Sequence, residues 1–216
     1  MSHQHNLEYI NSVFERIVGN LGRDVTVYHI GGNAMCWHGL KNTTKDADLV
    51  ILDWKEIKAF KRALIASGFI EEIIVGSEYK WIQPYGIFDE VKGTPLSEPF
   101  KPGIRVDLFL KQICGGFKFS EGMKKRAKEG GVRGKLTEYY CSPEDIFLFK
   151  LITERERDLV DMFRIYGSKP DFDVVIAELT FQLAAVDKSV RESFVESIKR
   201  SLDSLGGRYG VSLELL

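Results

Sequence analysis

The chain has 216 residues, 44% of them hydrophobic, with 30 basic against 31 acidic side chains. That is enough chain to bury a core without staples, and the composition excludes a disordered segment. At a net charge of −1, bulk charge supplies no affinity for nucleic acid or membrane, so any such affinity must come from a local patch.

In chain order, Leu7, Ile10, Val13, Phe14 and Ile17 recur at helical spacing, so an amphipathic helix is expected over about 6–19. Val25, Val27 and Ile30 form a short β-rich run that ends in Gly31-Gly32. Ala34, Met35, Trp37 and Leu40 then read as a helix of about two turns. A strand follows over 46–52, and a helix over 54–67 with Gly68 as its stop. Residues 70–75 and 78–83 read as a hairpin turning at Gly76-Ser77. Pro84, Pro95, Pro99 and Pro102 mark 84–103 as a long loop, and loops of that length are usually functional or mobile. Residues 104–110 are a further strand. Beyond Gly115-Gly116 a basic stretch (Lys118, Lys124, Lys125, Arg126, Lys128, Arg133, Lys135) leads into a short run at 136–140. Ser142, Pro143 and Asp145 open a helix expected to run to Tyr166, and helices follow near 171–185 and 188–205.

Three cysteines without a Cys-x-x-Cys spacing fit reduced thiols, not a disulfide framework or structural zinc site. Met1 to Asn20 lacks a basic region followed by an apolar block, so no signal peptide is expected. No apolar run approaches the roughly 20 residues of a membrane span. A cytoplasmic protein with no membrane partner is expected.

Three features carry chemistry. A glycine pair after a strand allows close approach of a ligand, and the following helix offers free N–H groups to an anion; such turns are also common as plain structure. Asp46 and Asp48 alternate on a strand, so their carboxylates share a face roughly 6–7 Å apart at the Cα level. Side by side they favour a shared divalent cation, the other reading being a solvated strand end. Asp107 sits amid the apolar run Arg105-Val-Asp-Leu-Phe-Leu110 and needs either a metal or an ion pair, for which Arg105 is the candidate. Together, two carboxylates on one strand, a third from a neighbour and a glycine turn suit metal-assisted phosphoryl or nucleotidyl transfer.

Gly31-Gly-Asn-Ala-Met-Cys-Trp-His-Gly-Leu40, followed by Thr44-Lys-Asp-Ala-Asp-Leu-Val50, resembles the minimal nucleotidyltransferases of the polymerase-β superfamily, nearest their uncharacterised and abortive-infection-toxin-like branches. The likeness implies an α+β fold, with a mixed β-sheet flanked by helices as a nucleotidyltransferase core over 1–115 and a mostly helical region over 116–216. It implies Gly31 and Gly32 on the nucleotide phosphates, Asp46 and Asp48 on metal, and Asp107 as third ligand or general base. Where many members have Ser after the first glycine this chain has Gly32, and Asn33 supplies a side chain instead; Lys41 stands near a position often held by arginine. Ser142-Pro-Glu-Asp-Ile-Phe-Leu-Phe-Lys150, with Arg155-Glu-Arg-Asp158 and Asp161, is similar to the toxin-like branch's later motif. That similarity carries over to Lys150, which would steady a triphosphate, and to Arg157 and Asp158. On an unbroken helix Lys150, Glu154, Arg157 and Asp161 fall in one stripe, whose other reading is solvated pairing.

The expected activity is therefore transfer of a nucleoside monophosphate from an NTP to RNA, a protein or a small molecule, with one or two Mg²⁺ ions (or Mn²⁺) and an antitoxin-like partner implied by the resemblance. Two rivals stand beside it: a catalytically silent nucleotide- or partner-binding module, and an RNA-binding protein that uses the basic stretch. Cys36, near a helix start, is a candidate for a lowered thiol pKa, and Trp81 or Tyr85 for stacking a base.

Overall fold

The structure, a computed structural model, describes residues 4–73, 84–91 and 103–215. Helix α1 (Leu7–Val18) starts where Asn6 accepts a hydrogen bond from the Tyr9 N–H, and it buries Ile10, Val13, Phe14 and Ile17. Strand β1 (Val25–Ile30) leads into α2 (Gly31–Trp37), then β2 (Asp46–Ile51) and α3 (Trp54–Ala66). Asp53 caps α3 by accepting from the N–H groups of Lys55 and Glu56. Next come β3 (Phe69–Glu72), β4 (Gly86–Glu90) and β5 (Arg105–Leu110).

A small hairpin, β6 (Gln112–Ile113) with β7 (Phe117–Lys118), precedes α4 (Glu121–Arg126), β8 (Lys128–Arg133) and β9 (Leu136–Tyr140). Four helices finish the chain: α5 (Pro143–Thr153), α6 (Glu156–Gly167), α7 (Phe172–Ala185) and α8 (Lys188–Tyr209).

The main sheet has the order β3-β4-β5-β2-β1-β9-β8. β2 runs parallel to β5 and β1 parallel to β9, while the other neighbours are antiparallel. The class is thus α+β, a mixed sheet flanked by helices with a helical C-terminal region, as expected. Side-chain alternation gives the sheet two apolar faces. Ala47, Leu49, Ile51, Val106 and Leu108 pack with residues of α1 and α3. Ile30, Val50 and Phe109 pack with the cluster that includes Ala34 and Met35 of α2 and the apolar residues of α5 to α8. Two of the sheet's strands, β8 and β9, come from beyond Gly116, so the sheet crosses the sequence position where the character of the chain changes.

Two expectations are corrected. The stretch 84–103, read as loop, holds strand β4, whose Ile87 and Phe88 are buried against the sheet. Prolines flank that strand without entering it, and only its neighbours show in a composition scan. The helix expected to reach Tyr166 is two helices. Glu154 takes a left-handed conformation (φ 51°) and ends α5, and α6 restarts at Glu156. The second arm of the expected 70–83 hairpin lies outside the described residues, as does Trp81.

Candidate functional site

Asp46 and Asp48 occupy the alternate positions of β2, on the face shared with Val50 and the C-terminal helices. Because β5 is parallel and in register, Asp107 lies directly beside Asp48, and Arg105 beside Asp46. Asp107 is buried, and its Oδ1 has no hydrogen-bond partner among the described residues. Burial, followed by the Asp48 and Asp46 charges, pushes the Asp107 carboxyl up to about 8. Burial and the Asp46 charge push Asp48 up to about 6. These carboxylates oppose one another's ionisation, a repulsion that a nearby positive charge would relieve.

Arg105 does not resolve that conflict as a private partner of Asp107. It forms a two-point pair with Asp89 of β4, from Nε to Oδ1 at 2.9 Å and from an NH₂ to Oδ2 at 3.0 Å. Asp89 is a fourth carboxylate on the same sheet face, through its register with Arg105, and sequence reasoning missed it inside the apparent loop. Among the described residues no group of three or more His, Cys, Asp or Glu side chains is placed so that it could hold a metal ion without rearrangement. The donor set still fits a hard divalent cation: it is all oxygen, crowded with like charge, and holds an orphaned buried acceptor.

The glycine turn is built around this chain's own side chains. Gly31 has φ +60°, and a Cβ there would overlap Asp48 Oδ2; a Cβ at Gly32 would overlap Thr44 Oγ1. Lys41 Nζ stands 4.0 Å from that Gly32 Cβ position. Asn33 is fully buried, with Nδ2 2.7 Å from His29 Nδ1, and His29 Nε2 is 3.0 Å from Glu138 Oε1. If Nε2–H serves Glu138, Nδ1 accepts from the Asn33 amide, and Asn33 Oδ1 is left without a partner among the described residues. Cys36 is buried and its thiol is pushed up by desolvation, the reverse of the lowered value expected from its place near a helix start.

The break at Glu154 replaces the expected stripe with a folded-back ion network. Lys150 is buried and donates to Asp158 Oδ1 at 2.7 Å and to Asp161 Oδ2 at 2.9 Å. Lys41 reaches the same Asp161 oxygen at 3.1 Å. Asp158 Oδ2 also accepts from Thr153 Oγ1 at 2.6 Å and from Arg155 Nε at 2.7 Å. Those cations hold the Asp158 and Asp161 carboxyls below the ordinary range against the opposing effect of burial. The network sits within electrostatic reach of the aspartates, since the Arg155, Lys150 and Arg157 charges all oppose the rise at Asp48. Arg157 is exposed, and Arg155 is half-buried, donating to Asp158 and interacting electrostatically with Asp48.

In the basic stretch, two arginines turn inward. Arg126 holds Asp145 and Glu178 at 2.6 Å, and Arg133 holds Glu138 at 2.6 Å. Neither of two clefts, one near Tyr85 and Leu110 and one between the α5–α6 turn and α8, is lined by the aspartates.

No protein-family model matches the chain, and no relative is found among curated proteins. Among solved structures, the chain is similar to a protein described as "putative nucleotidyltransferase from H. pylori", covering 97% of this chain and 100% of that one at 14% identity and a TM-score of 0.44. It is also similar to JHP933 from Helicobacter pylori, covering 94% and 96% at 14% identity and a TM-score of 0.41. Likeness at that level carries no argument about activity. No helix among the described residues is long and apolar enough to cross a membrane.

Proposed function

We propose that the chain is a metal-dependent nucleotidyltransferase, moving a nucleoside monophosphate from an NTP to an acceptor hydroxyl. The observation that carries this reading is the buried Asp107 Oδ1, without a partner among the described residues, beside Asp48 on paired strands, with Asp46 two residues from Asp48 on the same face. Asp46, Asp48 and Asp107 would hold one or two Mg²⁺ ions, with Mn²⁺ as a substitute. Bound there, the metal supplies neutralisation of triphosphate charge and a lowered pKa for the attacking hydroxyl. Asp107, whose carboxyl is pushed up by burial and by its neighbours, is the group suited to take that hydroxyl's proton.

The cations that face this cluster divide the remaining work. Exposed Arg157 is suited to meet phosphate oxygens, as is Lys41, half-buried next to Gly32, which would share itself between phosphate and Asp161. Lys150 and Asp158 are bound to each other, so their role is to hold the α5–α6 turn and its arginines opposite Asp48. Gly31 and Gly32 keep the turn close to Asp48 and Thr44, which sets the distance between phosphate-facing backbone and metal-facing carboxylate.

The test uses Mn²⁺ titration followed by electron paramagnetic resonance, and α-labelled NTPs offered with RNA, protein and small-molecule acceptors. Wild type should bind Mn²⁺ and transfer label, and Asp48→Asn should do neither. A wild-type chain that binds no Mn²⁺ would sink the reading. The silent-module alternative draws on the saturation of Lys150 and Asp158 by internal partners. Nucleotide binding that needs no Mg²⁺, with no pyrophosphate released, would favour it.

A further inference from the structure

Two rows of side chains cross the sheet at its acidic face. The register of β2, β5 and β4 sets Asp48, Asp107 and Ile87 in one row, and Asp46, Arg105 and Asp89 in the next. The first row holds two carboxylates and ends on a buried isoleucine. The second holds an arginine with a carboxylate on each neighbouring strand. Neighbouring strands lie about 4.8 Å apart and alternate residues along a strand roughly 6–7 Å, so Asp46, Asp89 and Asp107 are all within an arginine's sweep. The guanidinium turns to Asp89, with Nε on Oδ1 at 2.9 Å and an NH₂ on Oδ2 at 3.0 Å. That planar two-point grip fixes direction as well as distance. The two side chains are 38% and 32% exposed, so hydrogen bonding holds this geometry and burial does not wall it in.

The direction matters because Asp46, Asp48 and Asp107 repel one another, and any cation that reaches them gains by relieving that repulsion. Arg105 is a cation tethered beside them, and its charge is already felt at Asp107. Turned inward, its N–H groups would take carboxylate oxygens that a divalent ion needs. A guanidinium keeps its proton at any working pH, so it would not make way by losing its charge. We propose that Asp89 is a positioning residue: it draws Arg105 to the β4 side and so keeps the oxygens of Asp46 and Asp107 open to a divalent cation. The inference rests on the reading of Asp46, Asp48 and Asp107 as metal ligands, and it adds a control on them from outside the ligand set. Asp89 acts through Arg105 and has no effect without it, which distinguishes it from a fourth ligand.

The test is Mn²⁺ titration of the full chain, followed by electron paramagnetic resonance in about 0.5 M KCl. Screening over roughly 4 Å at that salt suppresses the field of a distant charge and leaves direct occupation of the oxygens in place. Asp89→Asn keeps the side chain's size and should weaken Mn²⁺ binding about tenfold or more, since the ion must then displace a charge-assisted hydrogen bond. Asp89→Glu, which keeps the carboxylate, should stay within about threefold of wild type. The deciding comparison adds Asp89→Asn to an Arg105→Gln chain. With no arginine to turn inward, the double variant should bind within about twofold of Arg105→Gln alone. Equal weakening by Asp89→Asn in both backgrounds would mark a fourth ligand and overturn the proposal. Should the single Asp89→Asn chain fail to fold, Asp89→Ser in the same two backgrounds makes the same comparison. If wild type binds Mn²⁺ and Asp89→Asn binds it equally well, the proposal alone falls. If wild type binds none, the metal reading falls and takes the proposal with it.

Discussion

Replacing Asp107 with Asn isolates the charge that the sheet opposes most strongly. In the folded chain this carboxyl is pushed from its ordinary 3.8 up to about 8 by burial and by Asp48 and Asp46. Between those two values the folded state keeps a proton that the unfolded state has lost. The stability this contributes is therefore fully present below the unfolded pKa and is lost as pH rises through the folded one. Each pH unit in that window removes about 1.4 kcal/mol, so the step from about pH 5.5 to about pH 8 should remove about 3 kcal/mol through Asp107 alone. Asp48, which titrates near 6, adds only a fraction over the same step. Urea unfolding in the presence of EDTA at both pH values measures the difference. Wild type should lose about 3 kcal/mol, and Asp107→Asn, which cannot ionise, should lose under about 1 kcal/mol. Saturating Mg²⁺ should return the lost stability to wild type at the higher pH, since a ligand of the folded state stabilises by mass action, and should not do so for the variant. Equal stability of wild type at both pH values without metal, or equal losses in wild type and variant, would refute the electrostatic account.

Three further outcomes follow from the same geometry. Gly31→Ala should destabilise the fold by at least about 1–2 kcal/mol for its left-handed backbone and weaken Mn²⁺ binding by displacing Asp48; unchanged binding would show the turn to be slack. Lys150→Met leaves Asp158 and Asp161 short of their shared buried partner. It should cost on the order of 3–5 kcal/mol in chemical unfolding, whereas a lysine that only contacted substrate would leave stability unaltered. Cys36, Cys114 and Cys141 are all buried with thiols pushed up by desolvation. A disulfide reagent near neutral pH should therefore modify them only on unfolding, and rapid native-state labelling of Cys36 would contradict its burial.

Much of the fold is legible in residue spacing because its elements are locally consistent. The stripe of α1, the glycine turn after β1, and the Ser142-Pro143 start of α5 each carry their own signal. β4 is hidden because five residues between prolines give too short an apolar run to stand out. The division at Glu154 is hidden for a different reason: no glycine or proline marks it, and the left-handed turn is held by Arg200, 46 positions away in the chain. For the site, Asp46, Asp48 and Asp107 could be found because carboxylates at strand positions conflict with propensity. Asp89 could not, since its strand was unseen. Lys150 and Asp158 carry the opposite lesson. Their charges were visible, but whether a buried lysine meets a ligand or two aspartates depends on a chain reversal that side-chain periodicity does not encode.

The pairing of Ile30 with Asp48 and of Asp48 with Asp107 makes the acidic site a matter of strand phase. The strands joined by the connection from Trp37 to Asp46 take their alignment from the ladder, while Lys41 and Thr44 within it pack against Gly32. A single residue inserted within β2 would act on that alignment. If it slipped the whole strand by one position, it would turn both carboxylates onto the face packed by α1 and α3 and bring Leu49 and Ile51 to the face of the acidic cluster. Across homologous chains, then, the parity of positions inside β2 and β5 should not drift.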